Sequence, residues 1–147
     1  MLNNLIIRPL EESDIGPLSK IEEASFSMPW SPQDFADLLK RDYCLYLVAE
    51  ADKKVVGSAG MTDICHEGSI DNVVVAEEYR GRGIAGKLLE ALFEIGRERG
   101  IKAYTLEVRV SNQAAIHVYE KAGFMSEGIR PRFYEKPTED ALIMWKR

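Results

Sequence analysis

The sequence predicts an α/β (α+β) fold of seven strands and four helices in the order β-α-α-β-β-β-α-β-α-β-β. Three observations predict it. The chain has 147 residues, 46% hydrophobic and 29% charged, the size and make-up of one ordinary globular domain spanning 1–147. Between residues 44 and 75, three β-rich runs are separated by two short turn signals. After residue 84 the apolar period lengthens to that of a helix.

Residues 5–8 form a short β-rich run. Glu11-Glu12-Ser13-Asp14 then offers capping side chains and negative charge to a helix start, which Ile15, Leu18, Ile21 and Ser25/Phe26 continue at helical spacing. Gly16 and Pro17 make its first turn irregular. Ser27-Met28-Pro29-Trp30 breaks this helix. A second begins with Ser31 as N-cap and Pro32 at its first position, and carries Phe35, Leu38 and Leu39. Residues 44–50, 55–65 and 69–75 read as an antiparallel three-strand meander, turning at Asp52-Lys53-Lys54 and His66-Glu67-Gly68. Ile84, Leu88, Leu92 and Ile95, with Leu89 and Phe93 beside them, give the next helix a wide apolar face; Lys87, Glu90, Glu94, Arg97 and Glu98 take the other side, and Gly100 ends it. Residues 103–110 are a strand, 112–122 a helix closed by Gly123, and 124–129 and 140–145 the last two strands.

Nineteen basic against twenty-four acidic side chains leave a net charge of -5, the wrong sign for a domain whose main partner is a phosphate backbone. Two distant cysteines and two histidines are too few for an ordinary zinc site, so no metal is expected. Cys44 and Cys65 both fall in apolar, strand-like runs and read as small core residues. No apolar run approaches the ~20 residues of a membrane helix, and the N-terminus has no signal-peptide pattern. A cytoplasmic location without membrane contact is the expectation.

The segment from Val73 to Gly86 joins the third meander strand to the long helix. Its glycines let the main chain approach a ligand closely, and the first N–H groups of the helix are unpaired donors at the positive end of its dipole. Arg80, Arg82 and Lys87 gather positive charge there, which suits a polyphosphate. A plain glycine-rich turn with solvated arginines is the competing reading of the fragment alone. A dinucleotide-binding loop fits less well after an antiparallel meander, and a P-loop would end in Gly-Lys-Ser/Thr.

Arg80-Gly81-Arg82-Gly83-Ile84-Ala85 resembles the Q/R-x-x-G-x-G/A acetyl-CoA motif of the GNAT superfamily of N-acetyltransferases, with Ala85 where many members carry Gly. The element order is similar to that fold along the whole chain. More narrowly, Met28-Pro29-Trp30-Ser31, Leu106-Glu107-Val108-Arg109-Val110-Ser111-Asn112, the run from Ile116 to Phe124 and Glu139-Asp140-Ala141-Leu142-Ile143-Met144 together resemble the RimI-type ribosomal-protein-alanine acetyltransferases. The resemblance implies a GNAT fold, a mixed and mostly antiparallel central sheet of about seven strands flanked by about four helices. It implies acetyl-CoA as co-substrate, without a metal, on Val73, Val74, Val75, Arg80, Gly81, Arg82, Gly83, Ile84, Ala85, Gly86, Asn112 and Tyr119. It further implies an acceptor that is the N-terminal alanine of a small-subunit ribosomal protein, acetylated by direct attack in a ternary complex; from the charge balance and hydropathy above, neither nucleic acid nor membrane is expected as partner. The chain is expected to act as a monomer or weak homodimer.

Acetyl transfer to an amine needs a neutral amine, a donor for the developing oxyanion and a proton for the departing thiolate. Glu107 sits in a strand where Glu is disfavoured, and partial desolvation there would make it a useful base; an ion pair with Arg80, Arg109 or another arginine is the structural alternative. The resemblance makes Glu107 the base, acting directly or through a water. Asn112 and Tyr119 fall on one helical face. A phenol stays protonated at neutral pH and can protonate the sulfur, whereas a lone apolar-stripe tyrosine packs in the core; the resemblance assigns Tyr119 the acid role. For the oxyanion the expected donor is a backbone N–H among Val73, Val74 and Val75, Val74 first, on a strand that the resemblance implies splays from the one carrying Glu107. Pro29, Trp30, Arg132 and Tyr134 are the expected substrate contacts, with Trp30 as a helix staple and Tyr134 as a cross-strand packer the alternatives. Two further readings stay open: the same fold acting on a small-molecule amine, and a non-catalytic acyl-CoA-binding module.

Overall fold

A computed structural model describes residues 4–147. Its elements in chain order are β1 (Ile6–Pro9), α1 (Ile15–Ser25), α2 (Pro32–Leu38), β2 (Cys44–Ala51), β3 (Lys54–Ile64), β4 (Glu67–Val75), α3 (Ile84–Arg99), β5 (Ala103–Arg109), α4 (Gln113–Lys121), β6 (Met125–Tyr134) and β7 (Glu139–Lys146). Short 3-10 turns precede α1 and α3, at Glu12–Asp14 and Glu77–Tyr79. The seven strands form one sheet in the order β1-β2-β3-β4-β5-β7-β6. Every neighbouring pair is antiparallel except β4 and β5, which run parallel.

Alternation along the strands sorts the core into two layers. On one face Leu47, Ala49, Ala59, Met61 and Leu106 pack against Leu88, Leu89, Leu92 and Phe93 of α3 and Ile116 and Tyr119 of α4. On the other, Tyr46, Val48 and Val74 meet Leu18 of α1 and Phe35 and Leu38 of α2. Helix α2 starts as its sequence dictates: Ser31 and Asp34 cap each other reciprocally, and Trp30 packs on Phe35 with ring centroids 5.5 Å apart, a hydrophobic staple. Gly100 closes α3 in the left-handed conformation. Among the described residues no helix is long and apolar enough to cross a membrane.

Three local expectations change. The β3–β4 turn is the pair Cys65–His66, both at positive φ, while Glu67 and Gly68 already belong to β4. Cys65 is therefore exposed in a turn rather than a core residue, and Cys44 is half-buried. The sixth strand does not stop near residue 129 but continues to Tyr134. Two register shifts against β7 absorb the extra residues, so the alternation that marks a regular strand is lost.

Candidate active site

Strands β4 and β5 are paired only at Glu67–Ala103, Gly68–Tyr104 and Ser69–Thr105. Beyond these positions they separate, and the register of β4 against β3 shifts at Asp71, which bulges out of the ladder. The gap is continuous with two cavities of about 360 and 480 Å³ that share Ser25, Phe26, Val73, Asn112, Ala115 and Tyr119, a size that suits a small-molecule site. The first lies toward the start of α3, and the second toward the α1–α2 loop and the β6–β7 hairpin.

At the α3 end, Gly81 and Gly83 adopt φ of 76° and 79°, which favours glycine, and an added Cβ on Gly81, Gly83 or Gly86 would meet nothing within 4 Å. The main chain thus presents bare backbone and the helix N-terminus to open space, an anion-receptive arrangement. Ile84 is buried beneath it, and Ala85 lines the cavity. Arg80 is less free than a solvated arginine: its Nε donates to the Val75 carbonyl (2.9 Å) and its Nη2 to Ser25 Oγ (3.1 Å), binding the end of β4 to α1. Arg82 lies 5.2 Å over the Tyr79 ring and is not among the lining residues.

Val73, Val74 and Val75 all line the first cavity. Their backbone directions follow from the ladder. Ala76 donates its N–H to the Val56 carbonyl (2.7 Å), so alternation points Val74 likewise at β3, opposite Ser58. The expectation that Val74 N–H serves an oxyanion is therefore corrected: that group is directed into the ladder. Val73 and Val75 point their backbone groups into the gap, consistent with Arg80 reaching the Val75 carbonyl.

Glu107 and Tyr119 both line the second cavity. The cationic partner of Glu107 is neither Arg80 nor Arg109 but Arg130 of β6, 3.2 Å away. Arg109 is engaged elsewhere: it bonds the carbonyls of Glu135 (2.8 Å) and Pro137 (2.9 Å), pairs with Glu139 (3.2 Å) and covers the Tyr134 ring at 4.6 Å. It thereby ties the β6–β7 hairpin to the end of β5. Tyr119 is 9% exposed and meets Phe124 edge-on; burial holds its phenol well above the ordinary value. Burial, together with the negative charge of Glu107, pushes Tyr134 up to about 12. Asn112 caps α4, its Oδ1 accepting the Ala115 N–H (3.2 Å).

Trp30 and Tyr134 line the second cavity; Pro29 and Arg132 do not. Arg132 sits in the bulged stretch of β6 with its N–H on Asp140 Oδ1 (3.0 Å), a place set by the unforeseen length of that strand. Sequence reasoning missed Glu22, Asp71 and Asn72. Glu22 carried one signal, an acid on the apolar side of α1 one position after Ile21 and four after Leu18.

A family model described as the acetyltransferase (GNAT) family matches residues 15–124. The chain belongs to the GNAT acetyltransferase family. GNAT enzymes use an acyl-CoA, and the bare-backbone start of α3 fits such a polyphosphate. The ribosomal protein bS18-alanine N-acetyltransferase of Escherichia coli (strain K12) is 34% identical over 142 residues, covering 94% of each chain. That of Haemophilus ducreyi is 32% identical over 142 residues, covering 95% of this chain and 97% of its own. The crystal structure of the E. coli ribosomal-protein-S18-alanine N-acetyltransferase superposes with a TM-score of 0.88 at 32% identity, over 97% and 92% of the two chains. That of Ard1 from Thermoplasma volcanium gives 0.90 at 26% identity, over 98% and 97%. Within the GNAT family this chain is thus closely similar to RimI-type proteins.

Proposed function

We propose that this GNAT protein is an N-terminal acetyltransferase that moves the acetyl group of acetyl-CoA to the α-amine of the N-terminal alanine of ribosomal protein bS18. The observation that carries the reading is the similarity to the E. coli enzyme of that name along 94% of both chains. The cleft supports it chemically, because Glu107 and Tyr119 open onto one cavity at the sheet gap.

Gly81, Gly83, Ile84, Ala85 and Gly86 would hold the pyrophosphate on backbone N–H groups, while Val73, Val75 and Asn112 would flank the pantetheine arm in the gap. Bound there, the co-substrate supplies an activated thioester. Glu107 accepts a proton from the incoming ammonium; with an ordinary α-amine value near 8, only a modest base is required. The freed nitrogen bonds to the acetyl carbon as the carbon–sulfur bond breaks, and the surplus proton it then carries leaves to water. The N–H of Val73, which lines both cavities, donates to the oxygen that gains charge. Tyr119, kept protonated by burial, gives its proton to the sulfur.

Acetyl-CoA turnover, followed by thiol release and product mass, tests the reading on peptides beginning Ala-Arg with free or blocked α-amines. Acetylation of the free α-amine alone is expected. Turnover of small amines with no peptide product would instead assign the cleft to a small-molecule acceptor, and tight acetyl-CoA binding without any transfer would leave a binding module.

A further inference from the structure

Glu22 has no place in the chemistry above, yet it is the most deeply buried carboxylate beside the cleft: its residue is 0% exposed, and it lines the second cavity. A carboxylate removed from water is costly unless its lone pairs are satisfied. No arginine or lysine pairs with it among the described residues. Its two oxygens are used by two different walls of the cleft. One accepts the backbone N–H of Trp30 (3.3 Å), in the loop between α1 and α2; the other accepts Asn72 Nδ2, on β4 beside the bulge where that strand leaves β5. Burial accordingly raises the Glu22 pKa, with both hydrogen bonds opposing the shift.

We propose that Glu22 is a positioning residue for the acceptor: its carboxylate latches the Trp30 loop to β4 and so sets the width of the cleft where the amine enters. The inference rests on reading this cavity as the acceptor end of an acetyltransferase. Trp30 is held by its ring as well, against Phe35 and Tyr46, and Ser31 after it by the α2 capping box, but among the described residues only Glu22 bonds this loop to β4. Glu22, Trp30 and Asn72 do not line the α3 end of the cleft, so co-substrate binding is expected to feel their loss less than acceptor binding does.

The test uses Glu22→Ala, Asn72→Asp and the double variant Glu22→Gln/Asn72→Asp. Asn72→Asp sets two carboxylates against each other. In the double variant the amide introduced at position 22 donates to the carboxylate introduced at position 72, while its oxygen still accepts from Trp30. The pair is restored with donor and acceptor exchanged. Because a buried hydrogen bond to a charged group is at stake, the peptide KM is expected to rise about tenfold or more in each single variant and to recover in the double one. Acetyl-CoA affinity is expected to stay within about twofold.

A second readout needs no turnover. The chain has two tryptophans, so in a Trp145→Phe background the fluorescence of Trp30 reports the loop alone. Acrylamide quenching of Trp30 is expected to increase in both single variants and to return in the double. Unchanged quenching, or acetyl-CoA affinity falling by the same factor as peptide KM rises, overturns the latch. Absence of peptide transfer by the parent chain would overturn the proposed function instead, while the quenching series still decides the latch.

Discussion

Tyr119 shows how burial can serve catalysis at the scale of one residue. A phenol 9% exposed and set edge-on to Phe124 loses little by staying neutral, and neutrality is what a proton donor requires. Its raised value means that alkaline pH leaves it protonated. The rate is therefore expected to rise as the acceptor amine deprotonates near pH 8 and to show no fall from Tyr119 ionisation up to about pH 10, which a kcat profile would reveal. Tyr119→Phe is expected to lower kcat about 100-fold or more while acetyl-CoA affinity measured by titration is kept, and Glu107→Gln to do the same. Unchanged transfer in both would remove the assigned acid and base. The residue pattern alone left both open, Glu107 as an ion-pair partner and Tyr119 as a core tyrosine; the resemblance to the GNAT motif strings is what singled them out. Glu22 and Asn72 stayed hidden as a pair: they are 50 positions apart, and an acid on the apolar side of α1 does not name its partner. The direction of the Val74 N–H was hidden too, since it depends on the ladder with β3 and not on residue type.

At the scale of elements, α3 comes close enough to β5 that Gly96 has no room for a side chain. An added Cβ would lie 1.9 Å from the Tyr104 hydroxyl, which lies 3.5 Å from the Phe93 carbonyl. Gly96→Ala is expected to destabilise by about 1–3 kcal/mol despite alanine's better helix propensity, lowering the melting temperature by roughly 2–12 °C. Tyr104→Phe in the same chain is expected to recover part of that loss in a thermal melt, because the clashing atom is the hydroxyl oxygen. A melt unchanged by Gly96→Ala would mean that α3 shifts freely on the sheet. The elements most legible in the sequence were those with sharp ends: α2 with its Ser31–Asp34 box and α3 with its glycine stop. Strand β6 was the least legible. Its bulges break the period of two, and nothing local distinguishes a bulged strand from a loop.

For the whole molecule, a net charge of -5 coexists with a short stretch around the start of α3 that bears Arg80, Arg82 and Lys87, of which only Arg80 lines the cleft. An anionic co-substrate is attracted to this local patch against a repulsive background, and both influences are screened by salt, the short-range one less. If the backbone at the start of α3 holds the pyrophosphate, acetyl-CoA KM is expected to rise as ionic strength goes from about 0.05 to 0.5 M, more than the KM for a neutral-bodied peptide. Equal sensitivity of the two would place the anion elsewhere. The order of the elements was readable along the chain, but the three-pair junction of β4 and β5 is a product of tertiary register. That junction has a mechanical meaning. Load carried by backbone hydrogen bonds from β1 toward β6 passes through three rungs at one corner, so the ladder is two plates riveted at an edge, with α3 packed across both. A ligand lying in the open slot would act as a missing strut, and the resistance of the protein to being pulled apart would then report whether it is loaded.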